Sequence, residues 1–330
     1  MDGPPISVMV FNGDADGIIA AHQLRLAGLG AAKVVTGVKR DITLLSRVVA
    51  KPGEHVVVAD ISLDANRAAL DALLARDIQV TWFDHHYAGQ LPVDPRFHSH
   101  IDTAPDVCSS VLVDRHLDGR FRAWAVAAAY GDNLSVTARV LGAAAGLDEA
   151  SLAQLEELGT LINYNAYGET VADLLVPPAQ LYERIASYAD PLQFAAVDRF
   201  LIEARECMAA DLASARAAVK HIDERWVAVH ELPNAAWSRR VQGVWANELA
   251  RGHPQRAHAL LVATKAGFSV SVRAPLASPQ GADEVCRQFL SGGGRAGAAG
   301  INHLPSEQVG RFLSTMREAF PGTECSIRRA

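Results

Sequence analysis

The segment Phe83-Asp84-His85-His86-Tyr87-Ala88 places a carboxylate and two adjacent imidazoles directly after a short apolar run at 79–83. That run ends in β-formers and reads as a buried strand. A core strand has no packing reason to stop on such side chains, which are costly to bury without partners. Carboxylate oxygens beside imidazole nitrogens suit a divalent ion such as Mn²⁺, Zn²⁺ or Fe²⁺. Two other strand-like runs end similarly. Residues 6–11 lead into Asn12-Gly13-Asp14-Ala15-Asp16-Gly17, and residues 56–59 lead into Asp60. Any one of these aspartates alone is best read as a helix N-cap or a turn residue. Taken together, and with His85 and His86 added, they point to a metal site.

The elements that must position these groups follow from the surrounding pattern. Residues 6–90 alternate strand and helix: strands at 6–11, 33–38, 56–60 and 79–83, and helices at 18–27, 42–49 and 65–76, with Asp64 as N-cap of the last. This rhythm predicts an α/β fold with a doubly wound parallel sheet. In such sheets ligands bind at the carboxyl ends of the strands, and three strands here deliver acids to that edge. Residues 87–105 read as a polar loop, with His98 and His100 solvated. Helical patterns follow at 107–117 and 122–130. Asp132, after Gly131, is either the N-cap of the next helix or a further carboxylate for the metal. Residues 133–225 read as helices. From 226 the pattern returns to a smaller mixed α/β region. The expected organisation is a catalytic domain with helical extension at 1–190, a helical linker at 191–225, and a substrate-binding domain at 226–330.

Composition narrows the class. The chain has 330 residues, 49% of them hydrophobic, and a net charge of −6. It can build real cores, and it lacks the basic footprint of a protein that grips long nucleic acid. No apolar run of about eighteen residues is present, so no membrane helix is expected. The N-terminus, Met1-Asp2-Gly3-Pro4-Pro5, lacks the segments of a secretory signal. Cys108, Cys207, Cys286 and Cys325 are far apart, which fits reduced thiols in a cytoplasm.

A second constellation lies at 292–300, Gly292-Gly293-Gly294-Arg295-Ala296-Gly297-Ala298-Ala299-Gly300. So many glycines cost backbone entropy. Such a loop lets backbone N–H groups approach an anion, small residues after it can start a helix, and Arg295 adds a charged fork. Phosphate binding is preferred here to a merely flexible loop.

Asp14-x-Asp16, Asp60, Asp84-His85-His86 and Gly131-Asp132, followed by GGGxxxAAG, resemble the DHH phosphoesterase superfamily, in its branch with a DHH-associated C-terminal domain (RecJ and nanoRNase-like). The resemblance covers nearly the whole chain. It implies two Mn²⁺ ions in a cleft between a DHH domain and a cap domain. Asp14 would bind one ion; Asp16, His85 and Asp132 the other; and Asp60 would bridge them. His86 would face the scissile phosphate, with Asp84 orienting the histidines, so that Asp84, His86 and Asp60 form the catalytic set. Ser109 and Ser110 would lie near the substrate. Gly292, Gly293, Gly294 and Arg295 would hold the far end of a nucleotide. The implied chemistry is in-line hydrolysis by a water activated between ions roughly 3.5–4 Å apart. Two positions depart from the family pattern. Asn12 stands where a His or Asp ligand is usual, which weakens the first ion. Arg295 stands where a His is usual; it can grip phosphate but cannot donate a proton at neutral pH.

The expected activity is a Mn²⁺-dependent phosphodiesterase acting on short oligonucleotides or linear dinucleotides. The expected partners exclude long duplex nucleic acid and membranes, and a homodimer stays open. Asn12 and Arg295 keep two alternatives in play: a nucleotide-binding regulatory protein with impaired catalysis, and a phosphatase on a small phosphate compound. Aromatic residues make up only 6% of the chain, and Tyr87 and Phe97 are the candidate base-stacking residues.

Overall fold

The computed structural model describes residues 5–321, so Met1 to Pro4 and Cys325 lie outside the described residues. The chain divides into two compact units, Met1–Arg205 and Glu206–Ala330.

The first unit begins with β1 (Ile6–Phe11), α1 (Ala15–Leu24), β2 (Lys33–Val35), β3 (His55–Ala59), α2 (Arg67–Leu74), β4 (Gln79–Asp84) and β5 (Phe97–Ile101). The five strands form one sheet in the order β2-β1-β3-β4-β5, with every pair parallel. Every residue of β3 is buried, as a parallel strand covered on both faces requires. On one face Val8, Val10, Val56, Val58, Val80 and Trp82 form a core with Leu44, Leu45, Leu70, Leu73 and Leu74. Trp82 places its one polar atom by donating Nε1–H to the Ile61 carbonyl at 3.0 Å.

The other face is covered by helices: α3 (Ser109–His116), α4 (Arg122–Gly131), α5 (Ser135–Ala144), α6 (Glu149–Ala166), α7 (Pro178–Ile185) and α8 (Pro191–Val197). Helix α1 packs on α3 and α4, and α4 packs on α5 and α6. Every residue of α1 is buried, so this helix lies between the sheet and its helical cover.

Several local expectations are corrected. Residues 42–49 form only a 3₁₀ turn, Leu44–Arg47. Asp64 begins a second 3₁₀ turn and caps no helix. The predicted loop at 87–105 contains β5, which pairs with β4. His100 is not solvated there; its ring stacks on Phe83 with centroids 4.4 Å apart and meets His116 edge-on. Phe97 packs against the core and so is not a base-stacking platform, whereas Tyr87 is 75% exposed.

Helix α9 (Arg199–Ala215) carries the chain into the second unit. There follow β6 (Val219–Asp223), β7 (Val227–Leu232), α10 (Ala236–Gly252), β8 (Ala257–Thr264), β9 (Gly267–Arg273), α11 (Ala282–Arg287), β10 (Gly292–Arg295), β11 (Ala298–Leu304) and α12 (Val309–Ala319). The sheet order is β10-β11-β9-β8-β7-β6, with only β7 and β8 parallel. The expected all-helical linker is interrupted by β6, where Ile222 is buried and the chain pairs with β7.

The glycine run is also corrected. It is the edge strand of a hairpin with Gly292 opposite Ile301 and Arg295 opposite Ala298, and no helix starts after it. Close packing accounts for part of its composition. A Cβ on Gly292 would sit 1.7 Å from the Cys286 carbonyl oxygen, and Gly294 has φ 138°.

Candidate metal centre

Phe11 ends β1 and Ala59 ends β3, and these two strands are neighbours in the sheet. The chain leaves β1 toward β2 on one side, and β3 continues the sheet on the other. The winding reverses between β1 and β3, and the carboxyl edge at such a point is where open α/β sheets bind ligands. Asp14 and Asp16 follow β1, Asp60 follows β3, and Asp84-His85-His86 follows β4.

Asp14 satisfies both of its possible readings. It is the N-cap of α1, its Oδ1 accepting from the Gly17 N–H at 3.0 Å, and it also belongs to the acidic cluster. Asp16, 1% exposed, accepts the backbone N–H of Ser109 on Oδ2 and of Ser110 on Oδ1, both at 2.7 Å. It therefore ties α1 to the first turn of α3. Asp60 adopts φ 57°, a left-handed conformation that Asp tolerates better than most residues. Its N–H donates to the Phe83 carbonyl at 2.9 Å, which locks the turns after β3 and β4 together.

His85 Nδ1 lies 3.0 Å from the Val107 carbonyl. A carbonyl can only accept, so Nδ1 carries the proton and Nε2 presents a lone pair. That lone pair points to Asp60 Oδ1 at 3.5 Å and Asp132 Oδ2 at 3.9 Å. Ligands each about 2.1 Å from a common ion lie about 3–4.2 Å apart. These separations fit shared coordination. One ligand atom each from Asp60, His85 and His86 lies within 4.8 Å of the other two, a grouping that a small inward movement would bring onto an ion. His86 Nδ1 donates to Asp84 Oδ1 at 2.7 Å; Asp84 is fully buried, while the His86 side chain is 46% exposed. Asp132 follows α4 as its C-cap, and the next helix begins only at Ser135. It does not cap that helix, and it faces His85.

Ser109 and Ser110 are fully buried. Ser109 Oγ donates to Asp60 Oδ1 at 3.3 Å, and Ser110 Oγ to the Asp16 carbonyl at 2.8 Å. They brace the carboxylates. Gly292, Gly293, Gly294 and Arg295 belong to the second unit.

Sequence reasoning missed Lys39. Its Nζ donates to Asp14 Oδ2 and lies 3.3 Å from Asn163 Oδ1 and 5.6 Å from the Tyr167 ring centroid. The loop after β2 approaches the loop after β1 closely: a Cβ on Gly13 would lie 1.9 Å from the Gly37 oxygen. The signal was available, since Lys39 follows β2 much as Asp14 follows β1.

The electrostatics reflect this crowding. Burial raises the Asp60 carboxyl well above the ordinary range, and the negative charges of Asp14 and Asp16 raise it further. Burial also raises Asp132, partly offset by Lys39 and His85. Burial alone would raise Asp14 as well, but the Lys39 ammonium and the hydrogen bonds it accepts pull it down to about 2. Burial works against the Lys39 charge, yet Asp14, Tyr167, Asp132 and Asp60 keep its pKa well above the ordinary lysine value. His86 is raised: burial lowers it, and the Asp84 carboxylate more than compensates. A cluster of acids that repel one another, with an imidazole lone pair turned inward, is a donor set suited to a divalent ion.

No family model matches the chain, and no curated protein does. Solved structures do. A DHH-domain member of the s1p family of ribosomal proteins superposes with a TM-score of 0.62 at 13% identity, covering 95% of this chain and 86% of that one. Exonuclease RecJ bound to manganese gives 0.59 at 17% identity, covering 98% and 92%. A pGpG-specific phosphodiesterase from Vibrio cholerae gives 0.54 at 12% identity, covering 95% and 98%. Similarity extends along almost the full length of each pair, and with the parallel sheet and its acid-bearing edge it identifies the chain as having the fold of the DHH-domain proteins.

Proposed function

We propose that the protein is a metal-dependent phosphoesterase, a Mn²⁺-using phosphodiesterase of short oligonucleotides or linear dinucleotides. The observation that carries this reading is the meeting of Asp60, His85 and Asp132 beyond the carboxyl edge of the sheet, with the His85 lone pair directed at two carboxylates and the Asp16 charge near enough to act on Asp60. These four residues would hold the ion, and carboxylate with imidazole suits manganese. Bound there, the ion supplies positive charge to the phosphoryl oxygens and lowers the pKa of the attacking water.

The remaining roles belong to the chain's own groups. Ser109 and the two backbone N–H groups at the start of α3 fix Asp60 and Asp16 in place. The Val107 carbonyl fixes the His85 tautomer. Asp84 orients His86 and favours its protonated form, so the exposed edge of His86 is placed to meet a phosphoryl oxygen or to protonate the leaving oxygen. In the second unit, Gly292 to Arg295 remain the candidate phosphate-binding segment, now as an edge strand. The fold neighbours bear on substrate: one is an exonuclease and another acts on pGpG.

The test is direct. Purified protein with Mn²⁺ is given RNA of two to five nucleotides, and mononucleotide is measured. Wild type should release it and Asp84→Ala should not. Tight binding without turnover would instead identify a regulatory nucleotide binder. Phosphate release from small phosphate compounds, without nucleotide products, would identify a phosphatase.

A further inference from the structure

Asp14 differs from Asp16, whose oxygens also accept hydrogen bonds, in being paired with a cation. Its Oδ1 is engaged by the Gly17 N–H and its Oδ2 by the Lys39 ammonium. Lys39 is held from both ends of its own residue. Its backbone N–H donates to the Ala166 carbonyl at 2.9 Å, and its carbonyl accepts from Asn12 Nδ2 at 3.2 Å. Its side chain reaches past Tyr167 to Asp14 and Asn163. Asn12, 7% exposed, thus works as a donor to backbone. A carboxylate at position 12 has no proton to give, and a carbonyl can only accept. The amide at position 12 and the lysine at position 39 are therefore one arrangement: the first tethers the segment that carries the second.

We propose that Lys39 is a resident cation that takes the place of one of the two metal ions, so that the site loads a single divalent ion on Asp16, Asp60, His85 and Asp132. This rests on the phosphoesterase reading above and deepens it. The ammonium neutralises Asp14 and adds a positive charge close to Asp60 and Asp132. A second divalent ion at Asp14 would have to share one carboxylate with it, at the cost of repulsion between like charges at close range. Lysine suits this role because its ammonium is a compact point charge on a long stem.

The experiment counts ions. Full-length protein is stripped with a chelator, reloaded with Mn²⁺ and desalted. Bound metal is measured by mass spectrometry, and electron paramagnetic resonance reports whether the ions are magnetically coupled. Wild type should hold one equivalent with an uncoupled signal. Lys39→Ala and Lys39→Met should rise toward two equivalents, and Lys39→Ala combined with Asn12→Asp should reach two with a coupled signal. Lys39→Met keeps the aliphatic stem, which guards against loss of folding in Lys39→Ala. Two coupled ions in wild type would overturn the assignment to Lys39 while leaving a metal-dependent phosphoesterase intact. So would folded variants that all remain at one ion. A wild type that binds no manganese would remove the metal site itself, and with it both readings.

Discussion

Gly159→Ala tests whether helix packing sets the metal site. Gly159 lies in α6, and a Cβ there would fall 2.0 Å from the Ala127 oxygen, 2.8 Å from the Gly131 nitrogen and 3.1 Å from the Ala127 carbonyl carbon. All three atoms are backbone of α4, so none can rotate away. An ordinary C···O contact is about 3.3 Å, so α4 must recede by roughly 1.3 Å. Overpacking of this kind costs about 1–3 kcal/mol or more. Alanine gains back about 1 kcal/mol of helix propensity over glycine. The steric term should win, because the clash is with backbone at the severe end of that range, leaving a net loss of up to about 2 kcal/mol. In a unit of this size that lowers Tm by about 4–8 °C. Asp132 directly follows Gly131 at the end of α4, so the same displacement should weaken Mn²⁺ binding. Scanning calorimetry with and without Mn²⁺ reads both effects, following the transition that the ion raises. Gly310→Ala serves as control: nothing lies within 4 Å of its Cβ position in α12, and it should be neutral or stabilising by about 0.4–1 kcal/mol. A Gly159→Ala protein as stable as wild type would refute the reasoning, because propensity would then have outweighed a clash that the packing makes unavoidable.

Two other outcomes follow from the electrostatics. Asp84→Asn keeps the size and the acceptor oxygen but removes the charge that raises His86. Activity should fall about 10–100-fold, the manganese count should hold, and the limb of the pH–rate profile that titrates His86 should move to lower pH; an unmoved limb would exclude His86 as the titrating group. The second concerns pH and stability. Asp60 and Asp132 are raised in the folded protein, so the metal-free fold binds more protons than the unfolded chain above the ordinary carboxylate pKa of about 3.9. Their contribution to metal-free stability therefore declines as pH rises from there through their folded values. Asp14 acts oppositely: its stabilisation is present above the ordinary value and is lost as pH falls toward about 2. Manganese requires the deprotonated carboxylates, so the gap in Tm between loaded and metal-free protein should widen as pH rises from 4. A gap independent of pH would show that no ligand proton is displaced.

The acid-bearing strand ends were legible because a parallel sheet collects its carboxyl termini on one edge, so β1, β3 and β4 could be read from alternating patterns alone. His85 and Asp132 required the third dimension: their meeting depends on α4 ending beside the turn after β4. Lys39 was invisible to a search for acids, and β2 is only three residues long. Residues 97–101 were misread because strand β5 carries His98 and His100, whose polarity signals loop; only the ring of Phe83 shows why His100 stays. The strand within the glycine run is hidden for a related reason. Glycine marks close approach of backbone, and sequence does not say whether a ligand or a neighbouring strand is what approaches.

The left-handed backbone at Asp60 restricts what inheritance can do with that position. Bulkier or β-branched residues are strained at φ 57°, and those tolerated there are chiefly glycine, asparagine and aspartate. Only one of the three is an anion. A lineage that gave up metal chemistry would be expected to drift to Asn or Gly at this codon, whereas lineages that retain it have no anionic replacement, since Glu would have to distort the turn to offer the same ligand.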